Sequence, residues 1–219
     1  MAADYPSRKA DPKLFYHSYE GLKLRLAKES SQSQPDELVS HLSAAIQFTE
    51  EEHESTMASV GTLISDDEIT WDLLWAIFTP NTLAYHYHRL TEQPQILLIR
   101  KTAYEKRQDN SRYFNVDCDV VSDDGDSFGY AKATGHEIDE YEGSNKIQDL
   151  SIYPLRFHPN RAEALGQAVR RAKRFCTMIG HTYQEISGAA MREIVSQEHK
   201  TKLLKFHVSS KTDAELCSG

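Results

Sequence analysis

The residue types best suited to bind a metal lie in the stretch AYHYHRLTEQ, which covers residues 84 to 93. His86 and His88 are two residues apart, and Glu92 follows four residues later. Cupin-type metal barrels use this H-x-H-x-x-x-E spacing. In a strand, residues two apart point to the same face, so both imidazoles could bind one transition metal. A metal site of His86, His88 and Glu92 is therefore one reading of the stretch.

The surroundings of the two histidines favour a simpler reading. The cupin pattern has flanking glycines where Pro80 and Ile99 stand here, and Glu92 falls in TEQP, which is typical of an exposed turn. We therefore favour histidines of an edge strand or a groove, and we expect no cofactor. The histidines that remain as spatial possibilities for a third ligand are His136, His158, His181 and His207.

A second candidate site is the segment IYPLRFHPN, residues 152 to 160. If it is extended, Arg156 and His158 share one face, and a helix N-terminus follows at Asn160 with Arg161 beside it. A guanidinium, an imidazole and free helix amides together form a pocket for an anion or a carboxylate. In the alternative, Arg156 pairs with a nearby carboxylate and His158 bonds to a backbone carbonyl.

A third candidate is the basic helix face that carries Arg170, Arg171, Lys173 and Arg174. It could hold an acidic partner or a nucleic-acid backbone, but cations at the negative end of a helix dipole explain it equally well. The chain has 25 Lys and Arg against 33 Asp and Glu, a net charge of -8, which argues against a general polyanion binder. A nucleic-acid partner is not expected.

Two further motifs match a catalytic and a calcium-binding pattern only in part. GDSFG matches the nucleophile-elbow pattern around Ser127, but the residues that follow favour a strand where the elbow needs a helix. In the acidic stretch before it, Gly125 at the sixth position of a calcium loop would put Val120 first and Ala131 twelfth. An EF-hand needs oxygen ligands there. We expect a hairpin turn at this point.

The elements that position these residues follow from hydrophobic periodicity. Residues 14–26 fit a short strand or arm, and ESSQSQPDE at 29–37 is a linker. A helix from Pro35 continues to Gly61, and SDDEITWDLLWAIFTPN predicts a buried second helix that stops before Pro80. From Thr82 the period changes to two, which predicts an antiparallel meander.

The C-terminal third predicts one long helix followed by two strands that return to the sheet. Asn160 caps the helix and Gly180 ends it. The strands fall near residues 181–195 and 202–208. An inward stripe of the helix consists of Leu165, Ala168, Ala172, Phe175 and Ile179.

Composition limits the class of protein. The longest apolar runs are too short to span a bilayer, and the first residues lack the apolar region of a signal peptide, so we expect a soluble, cytoplasmic protein without membrane contact. Cys118, Cys176 and Cys217 are odd in number and widely spaced, which suggests neither a disulfide framework nor a zinc site.

Four stretches carry a resemblance to a known family: WDLLWAIFTPNTLAY (71–85), YFNVDCDVVSDDGDSFG (113–129), YEGSNKIQDLSIYPLRFHPN (141–160) and RFCTMIGHTYQEISG (174–188). They resemble the uncharacterised domain found upstream of the AAA-type ATPase module in a group of fungal ATPases. The resemblance runs from about residue 38 to about residue 213. It implies a recognition domain without the ATPase module, since no glycine here is followed by Lys as a P-loop requires.

These observations combine into one expectation. We expect an α+β fold in which N-terminal helices pack on a bent, mostly antiparallel sheet with one long C-terminal helix. Residues 1–35 form an arm and linker, 36–213 a single domain with helical part 36–80 and sheet and helix 81–213, and 214–219 a tail. We expect a non-catalytic domain that recognises a protein or a small anionic or polar ligand. The alternative is a small isomerase or cyclase with a histidine acid or base in an aromatic pocket.

Overall fold

The computed structural model describes residues 12–31, 37–89, 92–122, 127–133 and 135–176 in full. It also describes the backbone of Asp123 and of residues 188–195 and 201–208. Helices pack on antiparallel sheets, so the expected α+β class is confirmed. In the described part of the chain, no helix has the length and apolar character needed to cross a membrane.

The first element is helix α1, Pro12–Ser30, where a strand or arm was expected. Leu22 and Leu26 are four residues apart and both half-buried, while Leu24 between them is 73% exposed. Helical spacing therefore decides which leucines are covered, and the short alternation was misleading. The helix packs along α2, where the rings of Phe15 and Phe48 lie 5.5 Å apart. The expected arm is thus a packed helix.

Helix α2, Glu37–Ser65, confirms the predicted amphipathic helix and extends it past Gly61. A kink with non-helical backbone lies at His53. Gly61 is exposed and does not end the helix. The chain leaves the helix at Asp67, which takes a left-handed φ of 57°. The buried stripe of α2 consists of Leu42, Ile46, Thr49, His53 and Val60.

The predicted second helix, residues 65–79, is wrong. The segment instead forms strand β1, Glu68–Thr70, a 3-10 turn, Trp71–Leu73, and the one-turn helix α3, Leu74–Ile77. Strand β1 pairs with β7, Ser144–Lys146. A segment that is apolar on all sides fits a buried strand as well as a buried helix, and strand pairing decides between them.

The main sheet has the strand order β5-β4-β3-β2-β8, and all of its pairs are antiparallel. The short strand β6 also pairs with β4. This confirms the predicted meander. The strands are β2, Leu83–His88, β3, Gln93–Lys106, β4, Arg112–Asp123, β5, Phe128–Ala133, β6, Glu137–Asp139, and β8, Ile152–Pro154.

The sheet bends so that its two edges approach each other. The hydroxyl of Ser151, next to edge strand β8, donates to the backbone carbonyl of Glu137 in β6 at 2.9 Å. A β-bulge in β3 falls between Ile99 and Lys101. The concave face holds the core, whose largest fully buried side chains are Phe78, Phe114, Ile69, Leu74, Ile77 and Ile99.

Helix α4, Arg161–Cys176, crosses the outer face of the sheet. Of its predicted inward stripe, Leu165, Ala172 and Phe175 are exposed, and the residue that is buried is Ala164. Ile179 lies outside the described residues. The expected last strands form as β9, Gly188–Val195, and β10, Thr201–Val208, but within the described backbone they pair with each other and not with the main sheet.

Candidate binding site

His86 and His88 lie on β2, on the same concave face as fully buried Ala84. A hydrogen bond of 2.8 Å joins Nδ1 of His86 to the carbonyl oxygen of Ser151, so this nitrogen carries the proton. The ring of His136 lies 4.7 Å from that of His86. The bent sheet therefore brings together three histidines that are distant in sequence.

Burial, together with the smaller effect of the neighbouring His86 and His88, lowers the pKa of His136 to about 4. Glu92 is exposed in a turn with a φ of 54°. Among the described residues, no group of three or more His, Cys, Asp and Glu side chains could hold a metal ion. The structure places the histidine pair in a packed cluster with His136, while Glu92 lies in its exposed turn.

Arg156 and His158 do not share a face. The prediction that they do assumed an extended segment. After β8 the chain turns through a 3-10 helix, Leu155–Phe157, whose first residue is buried. This turn rotates successive side chains away from strand alternation. Arg156 lines one pocket and His158 another. The predicted combined anion pocket is thus two separate sites.

The His158 site is small, with a volume of about 180 Å³. The backbone N–H of Asn160 donates to Nδ1 of His158 at 3.1 Å. This nitrogen of His158 therefore accepts a hydrogen bond, whereas the alternative interpretation of the sequence had His158 donating to a backbone carbonyl. The imidazole also packs on Tyr85, with 4.4 Å between ring centroids. Asn160 lines this pocket, whereas Arg161 is exposed and does not.

The Arg156 site is a groove of about 400 Å³ between α1, α2 and the end of α3. Apolar side chains form most of its α2 wall, and two tyrosines, a histidine and the carboxylate residue Glu20 of α1 form the other. Its lining residues are Tyr16, His17, Tyr19, Glu20, Met57, Val60, Gly61, Ile64, Ala76, Thr79 and Arg156. This shape fits an apolar group that lies along a cleft.

Arg156 is the cation of the groove. Its Nη2 donates to the carbonyl oxygen of Ile77 at 3.0 Å, and its guanidinium lies 4.8 Å from the centre of the Phe157 ring. Burial of this guanidinium lowers the pKa of Arg156, although the residue as a whole is exposed. No described carboxylate forms an ion pair with it. Among the described residues, the alternative in which Arg156 pairs with a nearby carboxylate is therefore not found.

An aromatic cluster anchors α1 at this groove. Tyr16 lies 5.0 Å from Trp75 and 5.4 Å from His53 between ring centroids, and His17 lies 5.9 Å from Trp75. Burial raises the pKa of Tyr16. The sequence reasoning missed these residues because it treated α1 as an arm. The i, i+3 spacing of Tyr16 and Tyr19 was the signal that could have identified one helix face.

The four basic residues of α4 are exposed and do not converge on a pocket that the structure describes. Arg171 donates from Nη2 to the backbone carbonyl of Pro94, which ties α4 to the sheet. Arg170, Lys173 and Arg174 complete the set. Their arrangement fits a solvated helix face at least as well as an interface.

The described residues offer little for nucleophilic catalysis. Ser127 is followed by strand β5, as predicted, where a nucleophile elbow needs a helix, and Gly125 lies outside the described residues. Cys118 is a buried free thiol whose pKa burial raises to about 12. Cys176 is also free, and it is exposed. A thiol with a raised pKa is a poor nucleophile at neutral pH.

Comparison with known families gives one match. A family model described as Domain of unknown function (DUF7025) matches residues 60–159. The matched region runs from the end of α2 to the turn before α4, so it includes Trp75 and Arg156 but not α1. No curated protein and no solved structure matches the chain.

Proposed function

We propose that this protein is a non-catalytic recognition domain that binds an apolar group with an anionic head in the Arg156 groove. The observation that supports this is the partly desolvated guanidinium of Arg156, which lines the groove together with the apolar side chains of α2 and forms no ion pair with a described carboxylate, including Glu20 of the same groove. A carboxylate that reaches such a guanidinium gains a charge-assisted, potentially bidentate hydrogen bond. The apolar body of the ligand would cover Met57, Val60 and Ile64.

The alternative, a small pathway enzyme, would need an enclosed pocket with a histidine pointing into it. His158 lines only a small open site beside Asn160, and the groove is an open cleft. These features favour binding over catalysis. The resemblance to the domain upstream of an AAA-type ATPase module fits the same proposal, because such a domain would recognise a protein partner for the ATPase. An intracellular location belongs to this proposal.

The test compares octanoate with octanamide, two probes of nearly equal shape that differ in charge. Binding is followed by chemical-shift changes of the backbone amides that line the groove. We expect octanoate to bind at least fivefold more tightly, with the largest shifts at Val60, Ile64 and Ala76. Arg156→Gln should remove the preference, and Arg156→Lys should retain part of it, because a lysine keeps the charge without the planar fork.

His158→Gln serves as the matched control, because His158 lies close in sequence but lines a separate pocket. It should leave octanoate binding unchanged. The thermal midpoint of each variant shows that the fold is retained. Equal binding of the two probes, or full retention of octanoate binding by Arg156→Gln, would contradict the proposed groove.

A further inference from the structure

The longest strand of the sheet is only partly covered along one side. Strand β3 is paired with β4 from Leu98 to Lys106, but its pairing with β2 ends at Leu98. The last backbone bonds on the β2 side join Ile99 to Asn81 and Thr82. Beyond that point, no described strand lies beside β3 on the side away from β4.

The register shows which backbone groups point to the open side. The N–H of Val116 in β4 donates to the carbonyl of His136, on the side of β4 away from β3. Val116 lies opposite Thr102. In an antiparallel pair, residues that do not exchange hydrogen bonds turn their N–H and C=O outward, so Thr102 does so too. Tyr104, two residues on, has the same orientation.

The open side of β3 faces a slot of about 370 Å³. Its floor and one wall are β3 itself with Phe114, and the opposite wall is formed by the start of α1 and by Trp75. The lining residues are Lys13, Leu14, His17, Trp75, Pro80, Arg100, Lys101, Thr102, Ala103, Tyr104 and Phe114. An unpaired strand edge beside an apolar wall is the geometry that β-strand addition uses.

The charge of the slot is positive in a chain that is negative overall. Three cations and no carboxylate line it. Asp119 largely neutralises Arg100, which donates to it from Nε at 2.6 Å. Lys13 and Lys101 also line the slot, and the ammonium of Lys13 lies 4.9 Å from the centre of the Trp75 ring. Asp117, opposite Lys101, forms an ion pair with Lys132 at 3.3 Å. An acidic ligand would therefore meet a lining that carries cations and no carboxylate.

We propose that this β3 edge slot binds an extended acidic peptide segment of a partner protein, which adds as a strand beside Thr102 and Tyr104. Main-chain hydrogen bonds to these two residues would provide affinity. The ammonium groups of Lys13 and Lys101 would select acidic side chains, and Trp75 would cover an apolar one. The site is separate from the Arg156 groove, although His17 lines both.

The experiment uses the full chain and a fluorescein-labelled seven-residue peptide in which Glu alternates with Val and Thr. Fluorescence anisotropy measures binding at low salt. We expect binding at least tenfold weaker for the peptide with Lys in place of Glu, and equally weaker for the peptide that is N-methylated along one edge. The first change reverses the charge, and the second removes main-chain donors.

Variants of β3 locate the site. Lys101→Glu should weaken peptide binding at least fivefold, whereas Lys106→Glu, on the same strand but outside the slot, should not. Thr102→Pro removes an outward N–H and leaves the bonds to β4 in place, so it should also weaken binding while the thermal midpoint shows a retained fold. Arg156→Gln should leave peptide binding unchanged, which separates this test from that of the groove.

Amide hydrogen exchange gives the direct readout of strand addition. Thr102 and Tyr104 should become protected when the peptide is added. Absent peptide binding, or binding without this protection, would overturn the proposal. A third outcome would also overturn it. If Thr102 and Tyr104 are already protected in the free chain and lose this protection when residues 1–11 are deleted, the slot binds the chain's own N-terminal segment.

Discussion

The imidazole of buried His136 packs edge-on against that of His86, with 4.7 Å between the ring centroids. His86 lies on β2, next to edge strand β8, whereas His136 lies just before β6, which pairs with β4 on the other side of the bent sheet. Nδ1 of His86 donates to the backbone carbonyl of Ser151. Protonation of His136 would place a charge in a buried site next to two further imidazoles. The folded sheet therefore favours the neutral form of His136, whose pKa is lowered to about 4 chiefly by burial.

We expect stability to fall on mild acidification because of His136. Its folded pKa of about 4 lies below the ordinary value of about 6.5, so the unfolded chain binds the proton more tightly. The stabilisation is complete above pH 6.5 and is lost as the pH falls towards 4. The free energy of unfolding lost over this pH range is about 3 kcal/mol for a pKa shift of this size. Urea unfolding at pH 7.5 and pH 4.5 measures it.

His136→Gln should lose less stability between these two pH values than the unaltered protein. The control is His41→Gln, since His41 is exposed on α2. An equal loss in the unaltered protein and in His136→Gln would show that other groups cause the pH dependence.

Tyr104→Phe should destabilise the fold because three backbone groups lose the hydroxyl as a hydrogen-bond partner. The hydroxyl of Tyr104 lies 3.0 Å from the carbonyl oxygen of Trp71 and 2.9 Å from that of Asp72, and it accepts from the N–H of Trp75. Removal of a buried hydrogen-bond partner costs about 1 to 3 kcal/mol. Urea unfolding at pH 7 should show this loss, while Tyr130→Phe, at a 66% exposed tyrosine, should cost less than about 0.5 kcal/mol.

Chelation should leave the protein unchanged. The described residues bring His86, His88 and His136 together but form no group that could hold a metal, and Glu92 stays in its exposed turn. We expect protein purified without a histidine tag to contain less than stoichiometric zinc, nickel or copper, and EDTA to leave its thermal midpoint in place. One bound metal that is lost in both His86→Ala and His88→Ala would contradict this reading.

Elements with a long and regular hydrophobic period could be predicted from the sequence. The stripe of α2 and the strands β2 to β5 follow such patterns, and both are found. Residues 65–79 could not be predicted, because a segment that is apolar on all sides has no period. The pairing of β1 with β7, which decides its structure, depends on residues about 75 positions away.

The candidate sites were harder to predict because they depend on where elements end. Arg156 and His158 were expected on one face, and a single 3-10 turn separates them. The slot exists because β2 stops opposite Leu98 while β3 continues to Lys106. No residue type signals that difference in strand length. The histidine cluster likewise needs the bend that brings His136 to His86.

Helix α1 should open more readily than the rest of the fold. None of its residues is buried, and its described anchors include a few aromatic contacts, the hydrogen bond from Tyr19 to Glu50 and one between Nε2 of His53 and the carbonyl oxygen of Pro12. Segments with few buried apolar contacts open locally at free energies below that of global unfolding. Native-state hydrogen exchange should therefore show residues 12–30 opening at a lower free energy than β3 and β4.

Tyr16→Ala should increase this opening further, since Tyr16 contacts both Trp75 and His53. Loss of two aromatic contacts corresponds to about 1 to 3 kcal/mol, or an increase of about fivefold to 150-fold in exchange of the α1 amides. Leu24→Ala, at a 73% exposed residue, should have no such effect. An equal change in the exchange rates of the α1 amides and of the sheet amides would contradict the prediction, because the helix would then unfold together with the core. Because α1 forms a wall of both the groove and the slot, its opening would weaken binding at both.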